Sequence, residues 1–380
     1  MLIYLDISKK SGTFAGKITN KGNNNTIKMQ NRMKHSIITM VVLLLLVGCG
    51  KKTDSKGIPV QNGIYYWRTT FAVSYNEQAF LKKYDVKKLY LRLFDVDLVG
   101  DHPSYDAKPQ PIATIQFPDS VNLKETMEMV DECVPTVFIT LRGLNAMRFE
   151  TDLYAEKLTT RILNMCSYHN IESKVKEVQL DCDWTESTEE LYFELLKKVK
   201  DILDKHNIDL SATIRLHQLR STVPPVDRGV LMLYNTGSFK HPNTENSIIS
   251  YKDAAPYLKD MGYELPLDYA LPTFAWGVWF RNNQFQAILH EKNYSDETLY
   301  EPIDNTHLLV LQDHICDGHR LKKGDMIRTE IADYESIKQV KELLPFAGNA
   351  SIILYHLDEN NLKNYSQYEK DSLYTRPCYN

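Results

Sequence analysis

The chain has 380 residues, with 45 Lys and Arg against 49 Asp and Glu and a formal net charge of −4 at pH 7. Both signs are mixed along it, and no run of Lys or Arg is long enough to follow a phosphate backbone, which sets nucleic acid aside as a partner. The cysteines after Cys49 are widely spaced with no CxxC pair, so neither a zinc site nor a dense disulfide framework is indicated, and no metal or cofactor is expected.

The chain opens on a polar stretch with Gly22 to Asn25 at its centre, and Met33-Lys34 would itself open an ordinary signal peptide, so translation is expected to start at Met33. A basic segment from Lys28 to Lys34 leads into an apolar run, Ile37 to Val47, that closes on Leu46-Val47-Gly48-Cys49. A positive region, a short apolar core and small residues before a cysteine are the order of a bacterial lipoprotein signal. The run is about half of the ~20 residues that a membrane-spanning helix needs. Residues 1–49 therefore read as a signal peptide with lipidation at Cys49, anchoring the protein to a membrane of the cell envelope. Residues 50–62 read as a polar tether, and 63–380 as one domain, since about 330 residues suit a single α/β barrel with insertions.

Within that domain, short β-branched and aromatic runs alternate with helical patterns, the signature of βα units on a parallel sheet. Strands are predicted at Gly63 to Phe71, Lys88 to Val96, Thr136 to Arg142, Glu177 to Asp183, Asp209 to His217, Gly229 to Asn235, Asp268 to Trp276 and Ser351 to Leu357. Eight is the count of a closed (β/α)8 barrel, a TIM barrel. Leu158, Ile162 and Met165 share one helical face, and Leu191, Leu195, Val199 and Ile202 another, with Ser187 and Glu190 spaced as a capping box. Two connections are long, Gly100 to Val121 and Arg281 to Leu344. The second carries strand-like runs at Ala287 to His290 and His307 to Gln312 and a helix from Tyr334 to Leu344, and reads as a small α+β insertion, about residues 282–345, between strands seven and eight.

Strand alternation assigns the barrel interior. In strand four Val178, Leu180 and Cys182 pack outward, leaving Gln179, Asp181 and Asp183 inward, the two carboxylates about 7 Å apart. The same test turns Arg92 inward from strand two, Arg142 from strand three, and Ser211, Thr213, Arg215 and His217 from strand five. Buried charges are costly unless paired, so these groups are expected to meet one another or a ligand. The 23 tyrosines and four tryptophans supply rings suited to a sugar cleft, and Trp67, Trp276 and Trp279 near strand ends are candidates for stacking on a sugar face or for core and lid packing. His314, Asp317 and His319 lie close together in the insertion, where a solvated loop is favoured over a metal site.

Strand four, Val178-Gln-Leu-Asp181-Cys-Asp183-Trp-Thr185-Glu186, resembles the DxxDxDxE strand of the family 18 glycoside hydrolases, the chitinase and endo-N-acetylglucosaminidase group. Met232-Leu-Tyr234-Asn235 and Ala270-Leu-Pro272-Thr-Phe-Ala-Trp276-Gly277 resemble two further motifs of that group, on strands six and seven and in the right order. The chain is also similar, through Leu180-Asp181-Cys-Asp183 and a later Gly324-Asp-Met-Ile-Arg-Thr-Glu330, to uncharacterised bacterial barrel proteins. The first resemblance implies hydrolysis of N-acetylhexosamine-containing glycans by substrate assistance, the acetamide oxygen attacking the anomeric carbon while a glutamic acid protonates the leaving oxygen. It implies catalytic roles for Asp183, orienting the acetamide, for Tyr234 as its hydroxyl partner, for Asp181 as a supporting charge and for Glu186 as the acid. Glycan contacts would come from Trp67, Arg92, Arg142, Arg215, His217, Asn235 and Trp276. The pattern departs at two places: its first aspartate falls on Val178 and its glutamate on Thr185, with Glu186 one residue late. A barrel that has lost its acid and binds a glycan without cleaving it is therefore the alternative, and a metal-assisted hydrolase using the aspartate pair a weaker third. The placement of Glu186 discriminates between hydrolysis and binding.

Overall fold

In the computed structural model the residues described are 60–100, 107–259, 261–290, 293–346 and 350–377. The signal segment, Met33, Cys49 and most of the tether lie outside them. Eight strands form the barrel: β1 (Asn62–Tyr66), β2 (Val86–Asp97), β3 (Glu132–Ile139), β4 (Glu177–Asp181), β5 (Asp209–Arg215), β6 (Arg228–Met232), β7 (Leu267–Pro272) and β8 (Ile352–Tyr355). Each is parallel to its neighbours, and β1 closes the ring by pairing with β8 on one side (Gly63 with Ile353) and β2 on the other (Tyr65 with Tyr90). Closure removes the sheet edges, which is what a sequence of alternating βα units achieves at this strand number.

The outward faces are apolar as the alternation requires: Leu89 and Leu91, Val178, Leu180 and Cys182, and Leu210, Ala212 and Ile214 are all fully buried. They pack beneath helices such as Thr151–Tyr168, which buries Leu158 and Ile162, and Glu189–Leu203, which buries Leu191, Leu195 and Val199. The capping box does not form at the second of these. The N-cap is Thr188, and its hydroxyl instead accepts the Thr185 N–H at 2.9 Å, tightening the turn that leaves β4. In the connection after β2, Gln110–Ile112 adds an antiparallel strand to the end of β2, and the helix Ser120–Met129 starts behind an Asp119 cap.

The insertion begins earlier than its composition suggests, because β7 ends at Pro272 and Ala275–Arg281 already belongs to a second sheet. That antiparallel sheet orders Gln284–Leu289, Ala275–Arg281, Met326–Ile331, His307–Val310 and Tyr300–Pro302, with a hairpin of His314–Cys316 and His319–Leu321 beside it. It has its own apolar centre, built from Trp279, Leu289, Tyr300, Val310, Leu321 and Ile327. The helix Tyr334–Lys341 returns to the barrel, where Ile337 and Val340 join the main core.

The barrel interior is polar in layers. At the N-terminal end Lys88 reaches Glu177 at 2.6 Å and Glu132 at 3.5 Å, and Arg228 reaches Asp268 at 3.1 Å. Above them Tyr65 of β1 donates across the barrel to Gln179 of β4 at 2.7 Å, and Gln179 donates to Ser211 at 3.3 Å. Most of these buried groups thus find a partner inside, the Tyr90 hydroxyl and Glu177 Oε1 excepted, and the layer nearest the C-terminal mouth carries the candidate site.

Candidate functional site at the C-terminal mouth

At the end of β4, Asp181 is 3% exposed, whereas Asp183, two residues further, opens to solvent. The next strand supplies their partners. Thr213 donates to Asp181 Oδ1 at 2.5 Å, and Arg215 spans both carboxylates, with Nη2 at 3.3 Å from Asp181 and Nε at 2.5 Å from Asp183. Burial pushes the Asp181 carboxyl up from the usual carboxylate range, and the Arg215 guanidinium and the Thr213 hydroxyl bring it part of the way back. The inward aspartates that alternation predicts are brought together with Arg215, and the price of burying Asp181 is met by an ion pair with two hydrogen bonds.

The guanidinium lies 6.0 Å from the centre of the Tyr234 ring, and Tyr234 stacks on Tyr355 at 4.8 Å. Tyr234 follows β6 and Tyr355 ends β8, so side chains from the two strands that flank β7 meet at the mouth. Burial raises the phenols of both well above their ordinary range, which keeps them neutral. The Tyr234 hydroxyl contacts Met232 Sδ at 2.9 Å. Trp67, just past β1, packs against Tyr355 at 5.7 Å and Tyr65 at 5.8 Å, and it is half-buried, as Tyr355 is. Tyr355 was not singled out in the sequence, although an aromatic at the end of the last barrel strand is a signal that could have found it.

Arg92 enters from β2 and holds Asp95 through Nε at 2.8 Å and through a second hydrogen bond from Nη2, while its ring-facing side covers Trp67 at 5.5 Å. The pairing arises from a bulge between Arg92 and Phe94, which shifts the alternation so that Asp95 falls on the same face as Arg92.

Four strand placements are corrected. Arg142 does not point in from a strand: β3 ends at Ile139, and Arg142 lies in the helix Leu141–Ala146, where it pairs with Asp97 at 2.7 Å. There burial acts upward on the Asp97 carboxyl, but Arg142 and the Thr140 hydroxyl outweigh it and hold it low. His217 is exposed in a 3-10 turn, Leu216–Arg220, because β5 stops at Arg215 and the turn is closed by Gln218 accepting the Arg215 N–H. Asn235 lies beyond β6 in the left-handed region at φ 54°, exposed. Trp276 belongs to the first strand of the insertion rather than to β7, and its indole donates to Glu330 at 2.6 Å. Trp279 is buried in the insertion core with its indole on Asp325 at 2.9 Å, so packing is its role.

Glu186 is exposed, and it makes no hydrogen bond or ion pair to any described residue. Thr185 beside it is engaged locally, its hydroxyl 3.0 Å from Ser187 and 3.4 Å from Thr188. His314 bonds to Tyr300 at 2.7 Å, and among the described residues no group of three His, Cys, Asp or Glu side chains is arranged to hold a metal ion.

No protein-family model matches the chain, so the similarity to uncharacterised bacterial barrel proteins gains no support, and no curated protein is similar to it in sequence. Solved structures are similar in fold. A chitinase from Chromobacterium violaceum superposes with a TM-score of 0.52 at 10% identity, covering 83% of this chain and 100% of its own. The GH18 chitinase ChiB from the chitin utilization locus of Flavobacterium johnsoniae superposes at 0.50 and 12% identity, covering 83% of this chain and 94% of its own. The chain therefore shares its fold, a (β/α)8 barrel, with these GH18 chitinases, and it carries an α+β insertion after its own seventh strand.

Proposed function

We propose that this chain is a lipid-anchored cell-envelope protein whose barrel mouth binds an N-acetylhexosamine-containing glycan without cleaving it by the acid-assisted route. The observation that carries this reading is the turn after β4. The position where the resemblance expects the acid holds Thr185, whose hydroxyl is engaged with Ser187 and Thr188, and the nearest carboxyl, Glu186, is exposed. A general acid contributes about 10²–10⁴ in rate, so its absence removes most of the advantage of cleavage over binding. The carboxylate that would orient the acetamide, Asp183, is already held by Arg215.

The half-buried rings of Trp67 and Tyr355 and the fixed Asp183–Arg215 pair offer what glycan binding needs, apolar faces beside oriented polar groups. Hydrolysis is the second reading, and the Asp181 and Asp183 pair beneath Tyr234 is what favours it.

The test uses the purified protein with fluorogenic chitobioside and with chitin oligosaccharides in a calorimeter. Binding without turnover, and turnover gained in Thr185→Glu, supports the binding reading. Turnover by the wild type that disappears in Glu186→Gln refutes it in favour of hydrolysis with a displaced acid. For the anchor, Cys49→Ser releases the protein from the membrane fraction; retention there refutes lipidation at Cys49.

A further inference from the structure

The segment Gly324-Asp-Met-Ile-Arg-Thr-Glu330 has no part in the mouth, yet it builds a second concave surface. Met326–Ile331 runs along the centre of the inserted sheet beside Ala275–Arg281, placing Glu330 opposite Trp276. Glu330 is 4% exposed and fully committed: Oε1 accepts from Arg328 Nε at 2.6 Å, while Oε2 accepts from the Trp276 indole at 2.6 Å and from Ser247 at 2.5 Å. Arg328 is completely buried, and its remaining N–H groups go to the carbonyls of His241 at 2.7 Å, Pro242 at 3.2 Å and Phe239 at 3.2 Å.

Apolar packing alone would bury an indole. A buried carboxylate, itself neutralised by a buried arginine, is a costlier device, and it does something packing does not: it fixes the plane of the ring by its one N–H. The ring so fixed is half-buried and walls a cleft of about 750 Å³ between the insertion and the helix after β8. The rest of the lining carries amides and hydroxyls from Asn305, Thr306, Thr329, Asn360 and Asn364, with Tyr294, His290 and Asp317 beside them, and among the described residues it holds no Lys or Arg to attract an anion. An aromatic wall with amides and hydroxyls around it is the chemistry that recognises a neutral sugar ring. The cleft is linked to the mouth by a band of rings, with Trp67 5.7 Å from Tyr355, Tyr355 5.8 Å from Phe274, and Phe274 5.1 Å from Trp276.

We infer that this cleft is a second sugar-binding pocket, continuous with the mouth, and that Glu330 is the positioning residue that holds its wall. The inference rests on the glycan-binding reading and deepens it: the ligand is an oligosaccharide long enough to occupy both places.

The experiment titrates the purified protein calorimetrically with chitobiose, which fills the mouth alone, and with chitohexaose, which spans both. The variants are Trp276→Ala, Asn364→Ala and Glu330→Gln, with Trp67→Ala as the mouth control. The wild type is expected to bind the hexaose at least tenfold more tightly than the disaccharide. Trp276→Ala and Asn364→Ala are expected to remove that advantage while leaving chitobiose affinity unchanged. Glu330→Gln, which keeps an acceptor but loses its charge, is expected to lower hexaose affinity severalfold, again sparing chitobiose; a purely structural role would weaken both. Hexaose affinity unchanged in Trp276→Ala, with binding lost in Trp67→Ala, overturns the pocket and leaves the mouth standing. Loss of chitobiose affinity in Trp276→Ala also overturns it, because the ring would then act on the mouth or the fold. Failure of the wild type to bind either sugar overturns the glycan reading and this inference with it.

Discussion

Replacing Arg215 by methionine keeps much of the side-chain volume and removes the guanidinium that reaches Asp181 at 3.3 Å and Asp183 at 2.5 Å. The two aspartates respond differently. Asp183 has a side chain 56% exposed, so water takes over most of what Arg215 supplied. Asp181 has a side chain 5% exposed and keeps only the Thr213 hydroxyl. Leaving a buried charge without its partner costs about 3–5 kcal/mol. The carboxyl can escape that cost by taking a proton, and burial already raises it; each unit of further rise is worth about 1.4 kcal/mol. With the folded carboxyl titrating above its unfolded value near 3.9, the folded state binds more protons than the unfolded state between the two, so stability falls as pH rises through that window. Arg215→Met is therefore expected to lie close to wild type near pH 4 and to lose the full increment by pH 8. Urea unfolding followed by circular dichroism at both pH values measures the difference, and Arg215→Met/Asp181→Asn should recover most of it. A loss independent of pH, or a double variant no more stable than the single one, refutes the reasoning.

Three further outcomes follow from buried groups. Lys341 donates to the carbonyls of Ser372 at 2.9 Å and Leu373 at 3.0 Å, and burial brings its amine down to about 8. Between that value and the unfolded one near 10.4 the unfolded state binds more protons, so stability should rise with pH by up to about 3 kcal/mol, and Lys341→Met should flatten the rise in urea unfolding at pH 8 and pH 10. Lys88→Met strands Glu177 and Glu132 in the barrel floor and should cost about 3–5 kcal/mol in the same assay; a loss below 1 kcal/mol would mean that the two carboxyls are satisfied without it. Gly143→Ala places a Cβ 2.6 Å from the Val96 carbonyl oxygen, and backbone cannot swing aside as a side chain can. The expected cost is about 1–3 kcal/mol, and a variant that melts with the wild type would show that the helix Leu141–Ala146 can shift freely.

The eight barrel strands were legible because a strand buried on its outer face repeats every second residue, and Val178, Leu180 and Cys182 set the register of β4 without help from distant parts of the chain. The same period placed Asp181, Asp183 and Arg215 on one face, which is why the centre of the site could be read. What failed lies where strands end. Arg142 and His217 were assigned by extending an alternation past Ile139 and Arg215, and helical turns begin there instead. Trp276 was carried along with β7 by the same extension, although the chain had already crossed into the second sheet.

Local pattern thus determined the barrel, its insertion and the inward carboxylates, since periodicity and side-chain chemistry are properties of a short stretch. Tertiary structure alone decided the partners. The bulge that turns Asp95 toward Arg92 and the β8 tyrosine that covers Tyr234 depend on strands far apart in the chain. So does the hydrogen bond by which Glu330 fixes Trp276, 54 residues away in the chain. Such pairings are set by barrel closure and by the cost of leaving a buried charge alone, and neither is expressed in any one segment.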